Sequence, residues 1–225
     1  MIFRRRESKD ATTGESQAAP DGAPADGGHT GDAVLSAGDF RAATGPWDIA
    51  ERPADDDPGT IDLGGLVVRL RMGLDLRLQT DQETSVVQAV LLVAGDGAVE
   101  LRAFAASRAS GIWDVVRREI VGEASRHGGT ATEIPGPYGP ELRVVVPAQA
   151  PDGQRGTQTS RIVGVEGPRW LLRATYLGRP AIEPDADHVL ESAVRDVSVV
   201  RGDGAMPPRE PLPLRLPPDA QPVSE

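Results

Sequence analysis

The sequence predicts an α+β fold, in which one antiparallel β-sheet of six to eight strands is covered by two main α-helices. Residues 163–178 hold two apolar runs joined by a Gly-Pro turn, which is typical of a β-hairpin. Upstream of this hairpin, several short segments are alternately or continuously apolar, as β-strands are. Residues 110–127 instead space their apolar side chains three and four positions apart, which indicates an amphipathic helix.

Composition divides the chain into three parts. Residues 1–45 are dominated by Ala, Gly, Asp, Ser, Thr and Pro without a sustained apolar period, so we expect a disordered tail. A single α+β domain is expected over residues 46–202. Residues 203–225 contain too many prolines to continue a helix or a strand ladder, and we expect a Pro-rich extended segment there.

Four segments that precede the amphipathic helix are predicted to form a meandering antiparallel sheet. They are residues 66–70, 74–78, 86–93 and 99–103. The third is nearly continuous in apolar residues, which predicts a strand that is covered on both faces. Two further short strands are expected at residues 130–134 and 141–146, on either side of a turn rich in Pro and Gly.

The amphipathic helix is predicted over residues 110–127, with Ser110 as its N-cap. Its apolar stripe consists of Trp113, Val116, Ile120 and Ala124. Because this stripe should face the sheet, we expect Trp113, Val116 and Ile120 to be buried. A second helix is expected over residues 185–196.

The second strand of the central hairpin separates its side chains into two sets. Trp170, Leu172, Ala174 and Tyr176 form one face, which we expect to meet the core, and Arg169, Leu171, Arg173 and Thr175 form the other. Two arginines on one face can bind an anionic group. Alternatively, Arg169 and Arg173 form ion pairs with Glu119, Glu123 or Asp196. We favour the ion pairs, because ion pairs at sheet rims are common and no third anion ligand is evident.

Charge and composition exclude several classes of function. The formal net charge of −10 opposes binding to phosphate backbones, so nucleic acid is not an expected partner. The chain has no cysteine, which excludes disulfides and thiolate metal sites. We expect a cytoplasmic protein without a membrane span, because no apolar run reaches about 18 residues. The cluster Arg4 to Arg6 predicts at most a weak contact with an anionic membrane surface.

Residues with catalytic potential show no recognisable arrangement. The histidines, His29, His127 and His188, lack the spacing that would bring two ligands to one metal ion. The chain has no Gly-x-Ser-x-Gly elbow and no glycine-rich phosphate-binding pattern. We therefore expect no catalytic residue, no metal and no cofactor.

The Pro-rich segment near the C-terminus carries an alternating pattern of its own. Leu212, Leu214 and Leu216 alternate with Pro213, Arg215 and Pro217. The segment either buries its leucines on its own domain or is offered to a partner as an extended proline-rich ligand. We expect intramolecular docking, with Leu214 the most buried of the three leucines, because exposed leucines lower solubility.

Several ordered segments match a known pattern. They are GPWD at 45–48, LRAFAA at 101–106, GIWDVVR at 111–117, GPRWLLR at 167–173 and PPREPLPLRLP at 207–217. In these segments the sequence resembles an actinobacterial family of uncharacterised proteins, one of the domain-of-unknown-function families. The resemblance implies no activity. The order of elements also looks like the fold of the PsbP subunit of photosystem II, which is a likeness of fold that does not carry function.

Two hypotheses of function follow. The first is a non-enzymatic protein-interaction or scaffold module that presents a surface to a protein partner. The second is a small anionic-ligand-binding protein, in which Arg169 and Arg173, with Trp113 or Tyr138, line a cleft between sheet and helix. A concave apolar pocket with convergent polar groups is needed by the second hypothesis and not by the first. An enzyme ranks third.

Overall fold

The computed structural model describes residues 35–81, 83–84, 86–109, 111–149 and 153–217. Its helices are α1 (Ala37–Thr44), α2 (Ile112–Arg126), α3 (Arg179–Ile182) and α4 (Val189–Asp196). Its strands are β1 (Trp47–Asp48), β2 (Thr60–Asp62), β3 (Leu66–Arg69), β4 (Asp75–Thr80), β5 (Val87–Ala94), β6 (Gly97–Ala105), β7 (Thr130–Gly136), β8 (Gly139–Gln149), β9 (Arg155–Gly167), β10 (Trp170–Gly178) and β11 (Ser198–Val199). The α+β prediction is confirmed. Among the described helices, none combines the length and the apolar character needed to cross a membrane.

The larger of two sheets has seven antiparallel strands in the order β4-β5-β6-β10-β9-β8-β7. The predicted central hairpin is β9–β10, and β10 is the middle strand of this sheet. One face of β10, called the inner face, carries the core side chains Trp170, Leu172, Ala174 and Tyr176, which are almost fully buried. Strict alternation therefore identified the core face of the sheet correctly.

The second sheet has four short strands in the order β1-β11-β3-β2, and its β1–β11 pair is parallel. The apolar alternation of residues 66–70 predicts that they join the meander with the next three segments. That placement is wrong for β3, which pairs with β2 and β11, whereas β4, β5 and β6 do form a meander. An apolar pattern predicts strand character but does not choose the partner. Leu66 and Val199 of this sheet share one core with Leu101 and Leu172 of the larger sheet.

Helix α2 packs on the opposite, outer face of the larger sheet, over β7, β8 and β9. It buries Trp113 against Leu142 and Leu171, while Val116 and Ile120 are half-buried. The predicted stripe is thus correct, although two of its members are less buried than expected. The predicted N-cap, Ser110, lies outside the described residues.

Two helix boundaries differ from the expectations. Helix α4 begins at Val189 because residues 185–188 form a turn, and the imidazole of His188 accepts a hydrogen bond from the Leu190 N–H. Helix α1 forms within residues 1–45, where the sequence predicts a disordered tail. Its Phe40 ring meets the Tyr138 ring edge-on at 5.1 Å, which is a contact that local composition does not reveal.

The Pro-rich segment docks on its own domain, as predicted. The expected order of burial is wrong, however: Leu212 is 3% exposed, Leu214 is half-buried and Leu216 is 53% exposed. The register is set by backbone pairing, in which the Leu212 N–H donates to Ala103 O at 2.9 Å. This pairing directs the Leu212 side chain into the core.

Candidate functional site

The structure separates the two arginines of the predicted pair. Arg169 lies in the turn between β9 and β10 with φ 63°, because Gly167 pairs directly with Trp170 and leaves Pro168 and Arg169 as the loop. Its guanidinium donates to the carbonyl of Gly202 at 3.3 Å. Since Arg169 is not part of the strand, it does not share a face with Arg173, and that part of the sequence analysis is corrected.

Arg173 lies on the outer face of β10 in a partly desolvated setting. Its guanidinium carbon stands 5.5 Å from the ring centre of Phe104, and one terminal nitrogen is 3.8 Å from a Glu100 carboxylate oxygen. The pKa of Arg173 is lowered mainly by burial and, to a smaller extent, by the positive charge of the neighbouring Arg102. Its Nε is buried and has no hydrogen-bond partner among the described residues. This Nε is closed to solvent, whereas the Arg173 side chain as a whole is 25% exposed, so a partner can reach the exposed part of the side chain but not this atom.

Of the three carboxylates expected as partners of these arginines, two pair elsewhere, while the charge of Glu123 acts on Arg173 and opposes the lowering of its pKa. Glu119 pairs with Arg209, and Asp196 pairs with Arg52 and Arg71. The partner observed for Arg173 is Glu100, which pairs more closely with Arg102, at 2.7 Å. Arg173 thus has an ion-pair contact, but with a residue that was not among the expected partners and in the middle strand of the sheet, not at its rim.

Trp113 and Tyr138 do come together, in a cleft of about 500 Å³ at the N-terminus of α2. A volume in this range suits a small ligand. Neither Arg169 nor Arg173 lines the cleft; the cation there is Arg108, in the loop after β6. Arg108 is exposed, and among the described residues it has no ion-pair partner. Because Arg108 is a single arginine in a loop and belongs to no motif, the sequence alone does not identify it as a site residue.

The polar groups that line this cleft are mostly engaged by the protein itself. The Glu166 carboxylate accepts hydrogen bonds from the N–H groups of Gly111 (2.9 Å) and Trp113 (2.7 Å), and so caps α2. Asp114 pairs with Arg117. Burial raises the pKa of Tyr138 to about 12, and its hydroxyl donates to the carbonyl of Gly45 at 2.9 Å. This arrangement favours binding over proton transfer, since its acids are held as structural acceptors.

A buried ionic cluster lies apart from the cleft, on the inner face. The Arg161 guanidinium contacts Glu191, lies 3.0 Å from a Glu141 oxygen and stands 4.0 Å from the ring centre of Tyr176. Burial raises the pKa of Glu141, while Arg161 opposes that rise. Perturbed groups often mark functional sites. Here Glu141 and Arg161 are each 3% exposed, and the cluster ties β8, β9, β10 and α4 together.

Among the described helices, none has its main contacts with one part of the outer face, which is called the open patch. It consists of Leu91 and Val93 of β5, Arg102 of β6, and Arg173 and Leu177 of β10. Register places these residues on the face opposite the inner core, and all five are half-buried. Leu91, Val93 and Leu177 belong to neither hydrophobic core. The main contacts of α2 are with β7, β8 and β9, on the other half of the sheet.

Comparison with protein families gives one match. The model of the family described as "Protein of unknown function (DUF3710)" matches residues 45–222. The chain belongs to this family. The range that the DUF3710 model matches begins at the first residue of the GPWD segment. It includes the open patch, most of the Pro-rich segment, and the cleft lining except Ala37 and Gly38. A search of curated proteins found no match.

Proposed function

We propose that the protein is a non-enzymatic protein-interaction module whose open patch binds a protein partner. The observation that carries the proposal is the half-covered outer face, where α2 packs over one half of the sheet and leaves apolar side chains of β5 and β10 partly exposed. One face of an antiparallel sheet can be solvated, but such a face is normally polar. Leu91, Val93 and Leu177 do not fit that expectation.

The chemistry of the open patch fits a protein partner. Its apolar members lie beside two arginines, and arginine is enriched in protein interfaces whereas lysine is depleted. The Arg173 and Arg102 side chains are 25% and 32% exposed, so both cations are partly accessible to a partner. We infer that the partner presents an apolar surface with a carboxylate or carbonyl that reaches Arg173. The cysteine-free composition suits a reducing compartment, so we propose a cytoplasmic setting.

Affinity capture with matched surface variants tests this proposal. The full chain and the variant L91E/V93E are used as baits in extracts of the source organism, and the bound proteins are quantified by mass spectrometry. The control variant is M72E, because Met72 is 98% exposed and lies outside the patch. We expect one or more proteins to be retained by the wild type and M72E and lost by L91E/V93E. Equal recovery by all three baits would contradict the proposal.

A second candidate function is small-ligand binding in the cleft. The observation in its favour is the cleft of about 500 Å³, which brings the aromatic rings of Trp113 and Tyr138 beside Arg108, a cation with no ion-pair partner in the part of the chain that the structure describes. We infer a ligand with a flat apolar body and an anionic group. Thermal-shift screening of aromatic carboxylates tests this function: a hit should stabilise the wild type and the L91E/V93E variant but not R108A. Stabilisation that survives in R108A would place the ligand elsewhere.

A further inference from the structure

The Pro-rich segment, called the strap and defined as residues 206–217, fills a split in the larger sheet. Strands β5 and β6 pair as far as Leu101 on the β6 side, and beyond it they separate. The strap pairs with the freed edge of β6. Its backbone bonds there run from Leu212 N–H to Ala103 O (2.9 Å), from Arg209 N–H to Ala105 O (2.7 Å) and from Ala105 N–H to Glu210 O (2.8 Å). The strap is thus an extended segment that pairs with β6 through backbone hydrogen bonds and an isolated bridge between Phe104 and Pro211.

The strap also bridges to the smaller sheet. The Gly65 N–H donates to Pro213 O at 2.9 Å, and the Arg215 N–H donates to Leu63 O at 2.7 Å. Leu214 pairs with Val87 of β5 in an antiparallel bridge. The strap donors in all these bonds are non-proline residues, so its prolines occupy positions where no N–H is required. The positions of the prolines therefore match this groove.

One side chain makes the groove selective for this sequence. Leu212 enters the core shared by the two sheets, and the groove wall beside it is the backbone of Gly65. A Cβ at Gly65 would lie 3.0 Å from the Cβ of Leu212 and 3.0 Å from Pro213 O. The close approach of the two backbones thus depends on glycine at this position. A segment with the same spacing of leucine and proline would fit the groove equally well.

Among the described residues, the strand pairs that define the two sheets do not include the strap, so it can leave the groove without breaking those pairs. It is joined to β11 by residues 200–205, in which Gly202 to Ala205 are exposed and Gly202 has φ 67°. Apart from Leu212, its leucines are half-buried or exposed. Departure would leave the backbone groups of Leu63, Gly65, Ala103 and Ala105 without partners. An unpaired edge beside an apolar slot recruits a matching strand.

We propose that the groove between β5 and β6 is a strand-addition site that accepts the strap of a second copy of this chain, giving a strand-exchanged dimer. The second copy is the occupant because its strap carries the sequence that the groove already binds within one chain. Exchange of an identical element through an exposed hinge is an accessible route to a dimer. The site is separate from the open patch and does not depend on the proposed function.

Disulfide trapping between separate full-length copies tests the proposal. The chain has no cysteine, so each introduced thiol is unique. Differently tagged V87C and L214C copies are mixed, incubated and oxidised, and the 87–214 disulfide is identified by peptide mapping. Directly opposed residues of an antiparallel bridge are close enough for a disulfide. The matched control is V87C mixed with L216C, whose cysteine lies two residues farther along the strap at an exposed position.

We expect the V87C–L214C mixture to give at least about tenfold more cross-linked heterodimer than the V87C–L216C mixture, because occupancy of the groove creates a high effective concentration. Equal yields would mean random collision and would overturn the proposal.

A second variant distinguishes dimerisation by strap exchange from dimerisation through any other surface. V87C/L214C in one chain, oxidised at low concentration, locks the strap in its own groove. The locked chain should remain monomeric at concentrations where its reduced form dimerises, as measured by light scattering after size-exclusion chromatography. Equal dimerisation of the locked and reduced forms, or the absence of a dimer in the reduced form at every concentration, would overturn the strand-exchange proposal.

Discussion

The indole Nε1 of Trp170 donates a hydrogen bond to a carboxylate oxygen of Asp48 at 2.8 Å. Trp170 is fully buried in the middle strand of the larger sheet, and Asp48 belongs to β1 at the edge of the smaller sheet. One hydrogen bond thus joins the two sheets through residues 122 positions apart. The GPWD and GPRWLLR segments, which are distant in sequence, meet at this bond.

The variant D48A should lose about 1–3 kcal/mol of unfolding free energy, because it leaves the buried indole N–H without an acceptor. Urea unfolding measures the loss. The control is the same substitution in a W170F background, where no indole donor remains to be orphaned. In that background D48A should cost clearly less. Equal losses in the two backgrounds would show that the bond between Trp170 and Asp48 does not contribute.

The variant G164A should be strongly destabilised. A Cβ at Gly164 would overlap the Trp113 ring, which is held by a hydrogen bond from its Nε1 to the Pro140 carbonyl at 2.7 Å. Overpacking of this kind typically costs about 1–3 kcal/mol. The matched control is G156A in the same strand, where a Cβ would meet nothing within 4 Å. Similar unfolding midpoints for the two variants would mean that Trp113 moves aside freely.

The buried Glu141 predicts a specific dependence of stability on pH. Burial raises its folded-state pKa above the ordinary value of 4.5, so the unfolded chain releases the proton first as the pH rises. The contribution of Glu141 to stability is therefore most favourable below about pH 4.5, declines as the pH rises through the folded-state pKa, and is constant above it. The unfolding free energies of the wild type and E141Q are measured from pH 4 to 8. The wild type should become less stable relative to E141Q as the pH rises. Parallel curves would indicate that the pKa of Glu141 is not raised.

The strands of the larger sheet could largely be predicted from the sequence, whereas their partners could not. Alternation from Trp170 to Tyr176 is a local property with a period of two, so it identifies the buried face without knowledge of the fold. The pairing of β3 with β11 depends on a contact between residues more than 120 positions apart, which no local pattern contains. For the same reason α1 was missed, since its Phe40 ring packs against the distant Tyr138.

The positions of the aromatic residues in the candidate site could be predicted from the sequence, whereas the positions of its charged residues could not. Trp113 lies on a clear helical stripe, and Tyr138 lies in a turn between two strands, so both could be placed near the helix–sheet junction. Arg169 was misplaced because the sequence pattern does not show that a two-residue loop takes it into the left-handed region. Arg108 carries no motif, and only the folded chain brings it beside Trp113.

Two truncations measure what residues 35–44 contribute. A chain that begins at residue 35 retains α1, whereas a chain that begins at residue 46 loses the Phe40–Tyr138 contact and the paired hydrogen bonds from Arg41 to Glu51, at 2.8 and 2.9 Å. We expect the second truncation to melt several degrees below the first, since about 1 kcal/mol corresponds to roughly 2–4 °C in a domain of this size. Equal melting temperatures would mean that α1 adds nothing to stability.

The three leucines of the strap should differ in their contributions to stability in the order of their burial. Leu212 is 3% exposed within the shared core, so L212A should cost about 2–5 kcal/mol of unfolding free energy through the lost burial and the cavity left behind. L214A should cost less, because Leu214 is half-buried against the same core. L216A should lie within about 0.5 kcal/mol of the wild type, as is usual for a surface position. Guanidinium unfolding of the three variants measures the series, and L216A serves as the internal control for the composition of the strap. A larger loss for L214A than for L212A would contradict the order of burial and the role of the backbone register at Ala103.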